Sequence, residues 1–223
     1  MAYFLTVLYI TLNYLSPAEH LPALAPYRIM LLLLVGTSLI TAVLLPMTGF
    51  SFRAPQIYLA LGLMGSVGMS MLWMPRWLGG MVAALTEFTA PVAILMLVAI
   101  NLTTVKRTAI LAAVIVLISI YLTGLGYAAY HHGYRNETLI MFQWELNEST
   151  GIMEKTLRRI RAFGFLSDPN DLAQNFLISL AFLAAFWRKR RVLRNIFLVL
   201  LPTAVIAYGL FLTGSRGAAV GLL

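Results

Sequence analysis

The sequence predicts an all-α fold, a polytopic integral membrane helix bundle with about seven complete transmembrane helices and the start of an eighth. Of 223 residues, 61% are hydrophobic and 11% charged, far more apolar than the roughly half expected of a soluble domain. Charge-free runs extend from Ile29 to Phe52, from Ala54 to Pro75 and from Thr108 to Tyr130, and a helix needs about 20 apolar residues to cross hydrocarbon. Period-2 alternation is absent from them, and an open sheet cannot satisfy its backbone in lipid, so the spanning elements are helices.

In chain order, the first helix runs from Tyr3 to Leu15 and stops before Ser16-Pro17. It is a short membrane helix rather than a signal peptide, because it lacks a basic start and Ser16-Pro17-Ala18-Glu19 is a poor cleavage site. Pro22 and Pro26 mark the loop before a helix from Tyr27 to Leu45, and Pro46 and Pro55 bound the next loop. A third helix covers Gln56 to Trp73, ending at the interfacial aromatics Trp73 and Trp77 and at Pro75. A fourth is placed from Glu87 to Val105, with Glu87 solvated at its end; a start near Trp77 would instead bury Glu87 and demand a partner. The remaining helices are Ala109 to Tyr130, Pro169 to Trp187 and Asn195 to Thr213, with another beginning near Gly217. No internal repeat is visible. The chain stops at Leu223 inside an apolar run that is only starting, so 1–223 reads as one membrane domain truncated at its C-terminus.

Composition removes several function classes. There is no Cys, hence no disulfide frame, thiolate metal site or cysteine nucleophile. His20, His131 and His132 are too scattered for a metal cluster, so no metal and no cofactor are expected. The net charge of +8 belongs to membrane loops and lipid contacts rather than to nucleic acid.

The 16 Lys and Arg residues divide evenly between the two sides when loops are assigned alternately. Density breaks the tie: Arg188, Lys189, Arg190, Arg191 and Arg194 crowd one short loop, whereas the other side is diluted by Glu137, Glu145, Glu148 and Glu154. That places the basic turn and the N-terminus in the cytoplasm, and the loop 131–167 in the periplasm. The second half of this loop reads as an amphipathic helix, with Met153, Leu157 and Ile160 on one stripe and Glu154, Lys155, Arg158, Arg159 and Arg161 elsewhere. Such a helix lies on the membrane surface, or its arginines hold a phosphate. The sequons at Asn136 and Asn147 are read as chance.

Two stretches carry chemistry. In Gly164-Phe165-Leu166-Ser167-Asp168-Pro169-Asn170-Asp171-Leu172-Ala173-Gln174, Asp168 is a helix N-cap, Pro169 suits the first helical position and Asp171 favours the positive helix end. Capping leaves Asn170 and Gln174 unexplained; one turn apart, they share a face at the helix mouth and suit either a hydroxyl-rich ligand or another helix. In Thr213-Gly214-Ser215-Arg216-Gly217-Ala218, the glycines permit a tight break that brings backbone close to whatever Arg216 holds. A lone arginine at a helix end can simply snorkel to headgroups, but with Ser215 beside it Arg216 also suits phosphate capture through a bidentate fork.

The order Phe165-Leu166-Ser167-Asp168-Pro169-Asn170-Asp171-Leu172-Ala173, membrane helix, basic turn Arg188 to Arg194, helix, Leu212-Thr213-Gly214-Ser215-Arg216-Gly217-Ala218 resembles the start of the O-antigen ligase and polymerase family domain over 164–223. Tyr14-Leu15-Ser16-Pro17-Ala18-Glu19 with Leu21-Pro22-Ala23-Leu24 is similar to the opening of such proteins. The resemblance implies a metal-independent glycosyltransferase of the bacterial inner membrane, multi-pass, acting at the periplasmic face in cell-surface polysaccharide biosynthesis. Its donor would be glycan carried on undecaprenyl diphosphate, and its acceptor the lipid A core of lipopolysaccharide, another glycan or protein. Arg216 would handle the donor diphosphate, with Ser215, Asn170, Gln174 and Arg161 as further substrate contacts. The catalytic residue is unknown and expected beyond Leu223, which would leave 1–223 alone inactive. A lipid-linked oligosaccharide transporter or flippase is the alternative reading, and a non-catalytic scaffold the third.

Overall fold

A computed structural model describes residues 1–47, 55–73, 77–146 and 153–222. Arg53, Arg76 and the Asn147 sequon lie outside the described residues. The elements are α1 (Ala2–Leu15), α2 (Pro17–His20), α3 (Ile29–Leu44), α4 (Pro55–Trp73), α5 (Leu78–Asn101), α6 (Val105–His132), α7 (Asn136–Leu139), β1 (Ile140–Leu146), β2 (Met153–Ile160), α8 (Pro169–Ala185), α9 (Val192–Asn195), α10 (Leu201–Thr213) and α11 (Arg216–Gly221). Among the described residues helix dominates, and the fold is all-α apart from the pair of strands β1 and β2.

Among the described residues four stretches, Pro55–Trp73, Leu78–Asn101, Val105–His132 and Val192–Thr213, are long and apolar enough to cross a membrane. The others expected to span are shorter, at 14 residues for α1, 16 for α3 and 17 for α8. Large apolar side chains such as Leu39, Val43, Leu59 and Val82 stand exposed on the protein surface, which suits a lipid solvent and not water. The stretch Val192–Thr213 is continuous because a π-turn over Ile196–Leu200 joins α9 to α10. Pro202, in the first turn of α10, has no N–H to return to the preceding turn, and local rewinding accommodates that loss.

The chain divides into two compact units, Met1–Ile10 with Ala23–Thr108, and Thr11–Pro22 with Ala109–Leu223. In the first, Asn101 is 4% exposed and its Nδ2 donates to Thr6 Oγ1 and Thr41 Oγ1, each at 3.1 Å. One amide thereby ties α5 to α1 and α3, the kind of interhelical polar contact that apolar packing in lipid lacks. Arg107 stacks over the Tyr3 ring at 5.2 Å and donates to the Asn101 carbonyl at 3.1 Å, closing the turn from α5 into α6.

Two sequence expectations are corrected. The fourth helix begins at Leu78, not Glu87, and ends at Asn101, not Val105. Gly79 and Gly80 admit the Trp77 ring against the first turn, where the indole occupies the space a Cβ on Gly80 would need. The glycine pair is therefore a docking place for the indole within a helix, not a loop. Glu87 consequently sits well inside α5, on an exposed face.

The amphipathic helix expected over Met153 to Arg161 is instead the strand β2, paired antiparallel with β1 from Ile140↔Ile160 to Leu146↔Met153, with a register irregularity at Gln143/Trp144. Alternation gives this strand two useful faces. Ile160, fully buried, and Arg158 face α6: the guanidinium of Arg158 lies 4.9 Å from the Tyr130 ring and Ile160 packs on Gly126. Leu157 and Arg159 face the turn at Gly214. A helix would have dispersed these contacts around its circumference.

The core of the second unit gathers Leu139, Ile160, Leu166, Leu172, Phe176 and Ile206 from α7, β2, the turn Gly164–Leu166, α8 and α10. A buried polar node lies within it: Asn175 Nδ2 donates to Ser119 Oγ at 2.9 Å, and the Ser119 and Ser179 hydroxyls are 2.8 Å apart. These bonds fasten α8 to α6.

Candidate functional site

The site is built at one end of the second unit, where α8 begins and α10 ends. Asp168 Oδ1 accepts the Asn170 N–H at 2.6 Å, and Pro169 opens the helix, so the capping expectation for Asp168 holds in detail. Asp171 lies in the first turn of α8, near the positive end of the helix dipole. Capping fixes the start of α8 and leaves the Asn170 side chain free to face outward.

The link from Asn170 to the second motif is Arg159. Its Nη2 donates to Asn170 Oδ1 at 2.8 Å and its Nε donates to the Thr213 carbonyl at 2.7 Å. One planar guanidinium thus bridges two stretches that are far apart in sequence, a task suited to its fixed fork. Thr213 is fully buried, and its hydroxyl donates to the Leu210 carbonyl at 2.6 Å. The helix then ends on Gly214, which takes a left-handed φ of 60° and donates its N–H to Phe211 O. That conformation is routine only for glycine. A Cβ there would also stand 3.0 Å from Leu157 and 3.4 Å from Arg159. Ser215 caps α11, its Oγ accepting from the Ala218 N–H at 3.4 Å. Arg216 follows, exposed, and its guanidinium makes no hydrogen bond to another described residue.

The structure therefore brings Asn170, Ser215 and Arg216 to one end through Arg159, a residue the sequence reading did not single out. Gln174 shares the exposed face of α8 one turn along and is not drawn into the bridge. Arg161 is occupied elsewhere: its Nε donates to Thr138 O at 2.8 Å and its Nη2 to Glu137 O at 3.2 Å. Those carbonyls belong to α7 beside a separate cleft of about 590 Å³ that includes Glu19, Arg135 and Asn136. Arg161 thus braces α7. His131 Nε2 sits 2.8 Å from the Tyr208 hydroxyl, fastening the end of α6 to α10.

The N-terminal stretch meets the Gly164 stretch directly. Glu19 Oε1 accepts the Gly164 N–H at 2.8 Å, Tyr14 packs edge-on against Phe165 at 4.9 Å, and His20 packs edge-on against Phe163 at 4.7 Å. Gly164 has a φ of 60°, and Ser16 occupies the space a Cβ would need. Glycine is required there for both reasons. These contacts hold the segment entering α8, and with it Asn170, against the end of α1.

Arg159 spends two of its five N–H bonds on the bridge, so its outer edge keeps donors, and Arg216 keeps all of its own. A guanidinium with donors to spare at Arg159, and a second, unengaged one three residues beyond Thr213 at Arg216, are the kind of groups that take an oxyanion. Among the described residues no cluster of His, Asp or Glu is placed to hold a metal ion. No protein-family model, curated protein or solved structure matches the chain.

Proposed function

We propose that the chain is part of a bacterial inner-membrane glycosyltransferase of the O-antigen ligase and polymerase type, which transfers glycan from undecaprenyl diphosphate at the periplasmic face. The observation that carries this reading is the Arg159 bridge, which joins the Asn170 stretch to the Thr213–Arg216 turn and leaves the Arg216 guanidinium open. In this reading Arg216 grips the donor diphosphate, Ser215 and the outer edge of Arg159 complete the oxyanion contacts, and Asn170 and Gln174 offer hydrogen bonds to glycan hydroxyls. The leaving group is a lipid diphosphate, and fixed cations stabilise the charge that develops on it. The acceptor is lipid A core, another glycan or protein.

The test is a transfer assay in membranes containing the whole enzyme of which the chain is proposed to be part, with labelled glycan on undecaprenyl diphosphate and neither nucleotide nor ion gradient; residues 1–223 alone should give no transfer. Label should leave the lipid diphosphate and appear on the acceptor. Movement of intact lipid-linked glycan across the bilayer, with its linkage unchanged, would identify a flippase and refute the transferase.

The same reading has α1, α3 and α8 crossing a locally thinned bilayer, giving seven spans with the basic turn and N-terminus in the cytoplasm. The absence of Cys makes single-cysteine labelling clean. Glu137→Cys should react with a membrane-impermeant maleimide added outside intact spheroplasts, and Lys189→Cys only after lysis; the reverse pattern inverts the topology.

A further inference from the structure

We propose that the turn from Arg188 to Arg194 is a shaped binding site for the phosphate headgroup of an anionic glycerophospholipid. Asn195 is 3% exposed, and its side chain closes on both polar groups of a single residue. Oδ1 accepts the Arg188 N–H at 3.1 Å, and Nδ2 donates to the Arg188 carbonyl at 2.7 Å. Arg194 Nη1 donates to the Phe186 carbonyl at 3.1 Å, stapling the turn a second time. Between the staples Arg190 adopts a left-handed φ of 66°, a conformation a residue with a Cβ takes only when its surroundings hold it there.

The consequence is a fixed array of cations without counterions. The side chains of Arg188, Lys189, Arg190 and Arg191 are exposed and make no hydrogen bond or ion pair with another described residue. Residues 172–223 contain no Asp or Glu. Unpaired like charges in close array repel one another, and binding an anion relieves that repulsion. A topological signal needs only the charges; it does not need Asn195 to hold the turn in one shape.

The surroundings specify a lipid. The turn begins the stretch Val192–Thr213, which is long and apolar enough to span a membrane, so its cations stand at headgroup depth. Trp187, Val192 and Leu193 are exposed beside them, an aromatic and aliphatic collar suited to glycerol and upper acyl chains. Arg216 lies just beyond the far end of that 22-residue stretch, which at the helical rise is about 33 Å long. The two basic sites are separate, and this one does not depend on the transferase reading.

Native mass spectrometry of the chain from mixed micelles tests the proposal, using phosphatidylglycerol and phosphatidylcholine with identical acyl chains. Phosphatidylglycerol should be retained preferentially. Arg188→Gln with Arg191→Gln should lower that preference roughly 5-fold for each charge removed. Asn195→Ala keeps every charge and should still lower it several-fold; a thermal melt and gel filtration establish that the variant is folded. If it is not, Arg194→Lys, which keeps the charge and loses the planar fork, takes its place with the same expectation. Equal retention of the two lipids overturns the proposal. So does an undiminished preference in the folded variant, which would reduce the turn to its charge count. Displacement of the lipid by millimolar inorganic phosphate would make this a free-anion site and also overturn it.

Discussion

Arg216→Ala should weaken binding of undecaprenyl diphosphate by about one to two decades, the equivalent of a charged hydrogen bond typically worth about 1.5 to 3 kcal/mol. The expectation rests on an exposed guanidinium that no described residue engages, placed after a Ser215-capped turn. Removing it should cost the fold little, because the protein loses no internal contact, so the loss reads as ligand affinity. Arg216→Lys keeps the charge but not the fork and should fall between wild type and alanine. Arg135→Ala is the control: its guanidinium stacks at 5.9 Å on Tyr134 and Phe163, away from the Arg159 bridge, and the variant should bind as wild type. Affinity is measured by titrating the lipid diphosphate into the protein in nanodiscs, with undecaprenol as the tail-only reference. Equal affinity of wild type and Arg216→Ala would remove the diphosphate role and leave Arg216 as a headgroup anchor.

The sequence was most informative where hydropathy and proline act locally. The boundaries of α1, α3, α4 and α8 lie within about two residues of those expected, because Ser16-Pro17, Pro46, Pro55 and Asp168-Pro169 interrupt or cap the helix wherever the rest of the chain goes. It misled where a local pattern has two readings. Met153, Leu157 and Ile160 fit a helical stripe, but they pair with Ile140–Leu146, and that pairing is a non-local event. A start of the fourth helix near Trp77 or at Glu87 was open from the sequence, and the packing of Trp77 on Gly79-Gly80 accompanies the start at Leu78.

The site was half legible for the same reason. Asp168, Asn170, Ser215 and Arg216 belong to motifs whose chemistry is contained in a few consecutive residues. Arg158, Arg159 and Arg161 are alike as residue types, and only the strand separates their tasks: the first stacks on Tyr130, the second bridges to Asn170, and the third braces α7. Reading the segment as a helix named Arg161 as a substrate contact and gave no separate task to Arg159, which the strand places between Asn170 and Thr213. Strand alternation applied to Leu157-Arg158-Arg159-Ile160 was the signal that could have found it.

Arg159→Leu should disable the same site by a different route, through position and not contact. The substitution leaves the Thr213 carbonyl and Asn170 Oδ1 without their donor; the exposed Asn170 oxygen turns to water, whereas the carbonyl of the buried Thr213 costs about 1 to 3 kcal/mol if left unpaired. Lysine reaches one acceptor but cannot span both, so Arg159→Lys should resemble leucine more than wild type. Hydrogen exchange separates position from contact. Gly214 N–H bonds Phe211 O, and Ala218 N–H bonds Ser215 Oγ. Both amides should exchange faster in Arg159→Leu and keep their protection in Arg216→Ala. A double-mutant cycle adds a second readout: once Arg159 is leucine, Asn170→Ala should cost little more affinity for undecaprenyl diphosphate, because the two side chains act as one connection. Unchanged exchange at Gly214 and Ala218 in Arg159→Leu, or fully additive losses in the cycle, would show that Arg159 does not hold the turn that presents Arg216.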